Sequence, residues 1–453
     1  MVKKQLTLIP LIGIIYFTVS GGAFGLENII SGAGPGFGLL LLIITPLMWS
    51  LPIALVTAEL STMMPIDGGY YRWVYFALGR FWGFQEGWWT WLFTFVDMAV
   101  YPVLFSTSLK FFWPGMTGWQ QWLVNLVVIA TALVINWRGS KSVGKTAVVA
   151  FVIITFAFLL LTIFAMMKMT QTPWVPFESS GKSLTVTLGA GLTAVMWSYM
   201  GWDNVSTFAG EVKNPSRTFP LALMISVCLV TLLYFVPMVA TLGATTNWQQ
   251  WDSDNFTISM VASELVAPSL GSLIAISVMF SVWSMFVSQL LYTSRLPFTM
   301  AEDGLLPAFI TKSTVKNGTP YISLILCAVI YSIFTMLSFK RLLVIDVLIY
   351  AIALIMEYAA LITLRKSHPE MTRPFKIPGG AWGIAVAFVS LLIFVGACAV
   401  FSILGEEDSW KQVLVVVGML ATGPVVYAIQ ARLNPAPRQL KWIDSLHNSN
   451  QEK

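Results

Sequence analysis

The chain is poor in the residues that carry most enzyme chemistry. It has only two histidines, His368 and His447, and both lie outside the long apolar runs. That excludes an HExxH zinc pair and a histidine proton relay inside those runs. There is no Walker A loop for ATP hydrolysis and no TVGYG-type potassium filter. The three cysteines, Cys228, Cys327 and Cys398, each sit inside an apolar run. Buried, inert thiols are the expectation there, with neither a disulfide nor a metal implied. Charge is scarce as well: charged residues make up 10% of the chain, against about 25% in soluble domains.

Hydrophobic residues fill the gap, at 57%. About twelve apolar runs are long enough to cross a bilayer. They begin near Leu8, Phe37, Phe81, Gln121, Val143, Leu184, Phe219, Glu264, Tyr321, Leu342, Gly380 and Gln412. The expectation is an all-α membrane protein with about twelve transmembrane helices. Residues 1–431 read as a single transmembrane domain and 432–453 as a polar, frayed cytoplasmic tail. The first run is long and no small-residue cleavage site follows it, so no cleavable signal peptide is expected. With both termini cytoplasmic, only Lys110, Lys168, Lys182, Lys340, Arg341 and Lys411 of the 26 basic residues fall outside. That bias fits the positive-inside rule in a cytoplasmic membrane. The net charge of +5 then reflects topology. The expected partner is the lipid bilayer, and nucleic acid is not.

Two of the runs are interrupted. The first interruption is Ser20-Gly21-Gly22-Ala23-Phe24-Gly25, and the second is Trp197-Ser198-Tyr199-Met200-Gly201-Trp202-Asp203. A glycine inside a helix is unfavourable by roughly 1 kcal/mol against alanine, and a carboxylate at membrane depth costs more unless it is paired or wet. Paired broken spans point to a transporter's binding site. Five runs separate the two breaks, and an odd number of crossings reverses direction. The breaks are therefore predicted to be antiparallel, in an inverted five-plus-five repeat. Residues 8–168 would form the first repeat, 184–365 the second, and 380–431 two additional helices. Unwinding frees backbone groups. Half-helix N-termini attract carboxylate, and half-helix C-termini attract ammonium or Na⁺. Close helix packing is the alternative use of Gly21, Gly22 and Gly25.

Five acids lie in or beside the runs of the first half: Glu27, Glu59, Glu86, Asp97 and Asp203. Glu59 and Glu86 lie near inner ends, where structural or gating pairs with Arg72 or Arg80 are expected. Asp97 lies about 24 Å into the third run at 1.5 Å per residue. Asp203 follows the second break and Glu27 the first. Carboxylates at such depth are functional candidates by default, the alternative being a cap on a broken helix end. Trp197, Tyr199 and Trp202 bracket the second break, and Trp197 is expected to act as a gate over a cation or alkyl chain. Trp88, Trp89 and Trp91 read as packing or lipid anchoring.

The segments SGGAFGLENIISGAGPGFGLL, PLMWSLPIALVTAELSTMMPIDGGYYRWV, GFQEGWWTW with VDMAVYPVLF, WSYMGWDNVSTFAGEVKNPSRTFP and SRLPFTMAEDGLLPAFI occur in this order. Together they resemble the amino acid–polyamine–organocation superfamily over roughly residues 8 to 430. The likeness is to plant-type polyamine uptake transporters and L-type amino acid transporters. It implies a LeuT-type fold with broken helices 1 and 6, alternating access, and a secondary transporter rather than an enzyme, without a cofactor. It also implies that backbone at Ser20, Gly21, Gly22 and Gly25 faces a carboxylate or amine. Carbonyls from Trp197, Ser198, Tyr199 and Met200 would face the amino group. Asp97 and Asp203 match acidic positions of polyamine-type members, and Ser284 and Ser288 lie on the span that can complete a sodium site. Two departures matter. The fifth-span lysine of many proton-coupled or sodium-independent members is missing from Ala147–Thr155, which leaves H⁺ and Na⁺ both open as coupling ion. The loop Phe111–Gln121 has no cysteine, so no disulfide-linked heavy chain is expected. The expected substrate is an amine-bearing metabolite, an amino acid or a polyamine such as putrescine or spermidine. A non-transporting amine sensor is the distant alternative.

Overall fold

The computed structural model describes residues 6–178, 184–245, 247–252, 258–315, 317–336, 343–405, 409–433, 440 and 442. The first half holds α1 (Leu8–Val19), α2 (Glu27–Ala33), α3 (Pro35–Thr45), α4 (Leu51–Met63), α5 (Gly69–Leu78), α6 (Arg80–Leu109), α7 (Gly118–Trp137) and α8 (Ser140–Met167). The second holds α9 (Leu184–Ser198), α10 (Pro215–Ala244), α11 (Ile258–Leu265), α12 (Pro268–Glu302), α13 (Tyr321–Phe334), α14 (Leu343–Ser367), α15 (Gly380–Gly405) and α16 (Ser409–Leu433). Among the described residues there is no strand, only the isolated bridges Leu6–Val212 and Asp67–Phe208. Nine stretches among them are long and apolar enough to cross a membrane, and α3 with α4 makes one of these across a π turn at Pro46–Ser50. The helices α1 and α13 are apolar but shorter.

Helix α1 lies at the centre, packed against α8, α10 and α12. Its apolar composition runs all round, and Leu11, Ile14, Ile15, Tyr16 and Phe17 are all buried, as expected of a helix enclosed by others. The helix α6 packs along α12 and α14, and α9 packs on α2 and α15. Two expectations need correction here. The run expected to begin near Glu264 begins at Pro268, and Glu264 itself belongs to the separate short helix α11. The cause is local: a residue before proline is pushed out of the helical region, and Ala267 is extended at φ −169°, ψ 155°. Cys228 is exposed on α10, whereas Cys327 and Cys398 are buried as expected.

The segments around Leu6, Asp67–Arg72, Arg138–Ser140, Glu211 and Arg295–Asp303 meet at one end of the molecule. Its ion pairs differ from those expected. The fully buried Glu59 pairs with Arg365 of α14, at 2.7 Å from Nε, and accepts the Ile377 N–H at 2.8 Å. Arg72 instead forks onto Asp303, 3.1 Å from both Nε and Nη2, and Tyr71 donates to the same carboxylate at 3.0 Å. Glu211 takes Arg295 and the Ser140 hydroxyl. Glu86 has no basic partner among the described residues and receives only the Thr90 hydroxyl, at 3.4 Å. Sequence order hid these pairs because the partners are distant in the chain, 306 residues apart for Glu59 and Arg365 and 231 for Arg72 and Asp303. In the tail, Trp442 is buried: its indole N–H donates to Asp303 at 3.2 Å, and its ring lies 5.4 Å from the Arg72 guanidinium carbon. That position is docked rather than frayed. Residues 434–439, 441 and 443–453 of the expected tail lie outside the described residues, as do Lys3, Lys4, Lys182, Lys316, Lys340 and Arg341.

Removing one partner of a buried ion pair leaves an uncompensated charge, at a cost of about 3 kcal/mol. Arg365→Gln is therefore expected to lower the thermal unfolding midpoint of the detergent-purified protein, and adding Glu59→Gln should restore part of it. A wild-type midpoint in the single variant would contradict the pairing.

Candidate functional site

The first break begins where α1 runs out of helix formers. Ser20 still closes the last turn through its N–H on the Tyr16 carbonyl at 2.6 Å. Gly22 and Gly25 then take φ of 118° and 76°, a region that L side chains rarely enter, and the Phe24 N–H turns back to the Gly22 carbonyl at 2.9 Å. The chain resumes at α2. Gly21 serves close approach: a Cβ there would meet the Met285 sulfur at 2.4 Å, and the Ser281 hydroxyl donates to its carbonyl. The second break follows Ser198, with Gly201 at φ 94°. A Cβ on Gly201 would stand 2.8 Å from the Thr18 carbonyl oxygen. The two breaks therefore touch, backbone against backbone, and glycine is what lets them.

A cavity lies between them. Thr18, Gly21 and Gly22 line one side, and Trp197, Met200 and Gly201 the other. Asp97 and Phe93 of α6, Gln289 of α12 and Tyr350 of α14 close the remainder. Asp97 accepts the Tyr101 hydroxyl at 3.0 and 3.2 Å and also a hydrogen bond from the Trp197 side chain. Tyr350 joins the wall to what lies behind it. Its oxygen accepts the Gly201 N–H at 3.0 Å, and its hydroxyl donates to Asp203.

Several expected site residues do not reach the cavity. Ser20, Gly25, Tyr199, Trp202, Glu27 and Asp203 are absent from its lining, whereas Gly21, Gly22, Asp97, Trp197, Ser198, Met200 and Gly201 are present. Glu27 accepts the Ile258 N–H at 2.7 Å and so caps α11, the alternative use of a carboxylate at a helix end. The carbonyls expected to face an amino group are partly taken: Tyr234 donates to that of Ser198 at 3.0 Å, and the Trp202 indole to that of Tyr199 at 2.9 Å. The Tyr199 hydroxyl is itself bound to the Leu42 carbonyl at 3.0 Å. Ser284 and Ser288 are buried on α12 with hydroxyls unbonded among the described residues, and the serine whose hydroxyl meets the first break is Ser281.

Sequence reasoning missed Tyr350, Asp346 and Glu357, all on α14. Asp346 is 2% exposed and Glu357 is 1% exposed, and among the described residues no N–H or hydroxyl donates to either carboxyl group. Asp346 neighbours Asp97, and Glu357 contacts Asp203 and neighbours Glu86. Their signal is visible in the sequence: both acids interrupt an apolar span of the second half. Together Asp97, Asp203, Asp346, Glu86 and Glu357 are buried, and none pairs with Lys or Arg among the described residues. Buried carboxyls of one sign stay ionised only with a cation beside them, and otherwise hold protons.

Comparison with known proteins agrees with a carrier. The sequence profile of the amino acid permease family matches residues 7–423. A probable polyamine transporter of Arabidopsis thaliana is 33% identical over 442 residues, covering 97% of this chain and 86% of its own length. The polyamine transporter PUT1 of Oryza sativa subsp. japonica is 32% identical over 93% of this chain and 78% of its own. The branched-chain amino acid permease BcaP of Bacillus subtilis is more distant, 24% identical over 88% of this chain and 86% of its own. The chain is a multi-pass integral membrane transporter rather than an enzyme, and it belongs to the amino acid permease family.

Gly201→Ala places a Cβ against the Thr18 carbonyl in a strained backbone region, which costs about 1–3 kcal/mol. A lower unfolding midpoint and weakened ligand binding are expected. Wild-type values for both would show that the two breaks do not depend on this contact.

Proposed function

We propose that the chain is a secondary carrier of cationic amines, polyamines foremost, working by alternating access about the two touching breaks. The observation that supports this best is the group of buried carboxyls, Asp97 on the cavity wall and the others behind it, with no basic partner among the described residues. An alkylammonium supplies the missing positive charge. Asp97, held by Tyr101 and Trp197 on the cavity wall, is the first ammonium contact, and Trp197 closes over it. The names of the plant relatives favour the same substrate class.

In this reading α1 with α2, α9 with its continuation, and α13 complete twelve spans of a LeuT-type fold. Residues 8–168 and 184–365 form the inverted repeats, and 380–431 the additional pair. The basic end faces the cytoplasm together with both termini, in the cytoplasmic membrane. Either H⁺ or Na⁺ drives uptake, the Na⁺ case resting on Ser284 and Ser288. An amino acid substrate is the second reading. The glycine backbone of the first break, exposed to the cavity at Gly21 and Gly22, favours it.

Uptake of radiolabelled putrescine and leucine into proteoliposomes, with and without imposed H⁺ and Na⁺ gradients, separates these readings. Saturable putrescine uptake is expected, reduced at least about tenfold by Asp97→Asn through loss of one charge-assisted contact. Leucine uptake alone would favour the amino acid reading, and uptake of neither would refute amine transport.

A further inference from the structure

The carboxyls are not scattered. Glu86 and Asp97 are separated by eleven residues on α6, and Asp346 and Glu357 by eleven residues on α14. Eleven residues make close to three helical turns, so each pair shares one helix face, with its members about 16 Å apart along the axis. The two helices pack against each other. Asp346 neighbours Asp97, and Glu357 neighbours Glu86, so the helices run antiparallel and the acids form two rungs. Asp203 joins the second rung through its contact with Glu357. Between the rungs, on the same two faces, stand Phe93 and Tyr350, with ring centroids 5.6 Å apart.

Acid rung, aromatic pair, acid rung is the complement of ammonium, alkyl chain, ammonium. The outer rung reaches the cavity through Asp97, whereas Glu86 and Glu357 do not line it. Tyr350 stands between, on the cavity wall and hydrogen-bonded to Asp203. A turn of its side chain would join cavity and second rung. An independent sign marks that rung as a ligand position. The Tyr70 hydroxyl, fully buried and without a hydrogen-bond partner among the described residues, neighbours Asp203, Glu86 and Glu357. Unsatisfied buried polar groups of this kind call for a partner.

We propose that Glu86 and Glu357, with Asp203, form a second alkylammonium subsite, so that a linear diamine or oligoamine lies lengthwise along the α6–α14 seam with its chain against Phe93 once the Tyr350 side chain has turned aside. This rests on the amine-carrier reading and adds a position for the second charge. It makes the number and spacing of ammonium groups the basis of selection. Neutralising the second rung removes the advantage of a diamine over a monoamine.

The test uses the full-length protein in lipid nanodiscs and unbranched α,ω-diaminoalkanes, each paired with the n-alkylamine of equal length. In the wild type, the diamine long enough to span the seam is expected to bind at least about tenfold tighter than its monoamine, the effect of one added charge pair. In Glu86→Gln/Glu357→Gln the ratio should collapse toward one. The single variant Glu357→Gln, which perturbs folding less, should lower it in the same direction. A ratio kept at the wild-type value overturns the subsite. So does equal loss of both ligands in the single variant, because the second rung would then serve the first ammonium or the fold. A retained ratio with only a shifted pH dependence of uptake would assign the second rung to a proton and likewise overturn it. Failure of every amine to bind the wild type would instead strike at the carrier reading itself.

Discussion

The close backbone approach of Gly201 to the Thr18 carbonyl is the constraint on which the rest of the site depends. It brings two helix ends together in the middle of the molecule. A side chain at Gly201 would push them apart, and the positive φ there belongs to glycine. Once the ends meet, their peptide groups need partners that lipid does not offer. Neighbouring helices supply them: Tyr234 to the Ser198 carbonyl, Tyr350 to the Gly201 N–H, and Ser281 to the Gly21 carbonyl. The tyrosines that satisfy the broken backbone are also those that shape the cavity.

Charge divides the molecule in two. At the basic end each buried acid has its cation: Glu59 has Arg365, Glu211 has Arg295, and Asp303 has Arg72. Those pairs tie α4 to α14, the second break's continuation to α12, and α5 to the end of α12. Deeper in, Asp97, Asp203, Asp346, Glu86 and Glu357 have no Lys or Arg partner among the described residues and stand beside hydroxyl, indole and carboxyl groups. Paired acids hold the fold together. Acids without a cation favour a positive partner, and in the proposed function that partner is the amine held between the broken helices.

Much of this was legible in the sequence. The apolar runs, the glycine breaks and Asp97 follow from composition and spacing, and the ordered motifs pointed to the family that the permease profile matches. What was not legible depends on distant partners. Glu59 was assigned to a neighbour in sequence, while its guanidinium comes from α14. Asp203 was read as a direct contact, but Tyr350 stands between it and the cavity. Glu27 was read as a ligand group and caps α11, because the chain returns there more than two hundred residues later. Asp346 and Glu357 could have been found, since their eleven-residue spacing repeats that of Glu86 and Asp97. Only the packing of α14 on α6 makes the repetition meaningful.

The most direct measurement of the central claim is ligand-induced stabilisation of the purified chain. A ligand that binds only the folded state raises the unfolding midpoint with its concentration. Spermidine and putrescine are expected to raise it in a saturable manner, with leucine having no effect at equal concentration. Stabilisation by leucine but by neither polyamine would contradict the account, because a neutral zwitterion does not supply the net positive charge that these buried carboxyls lack.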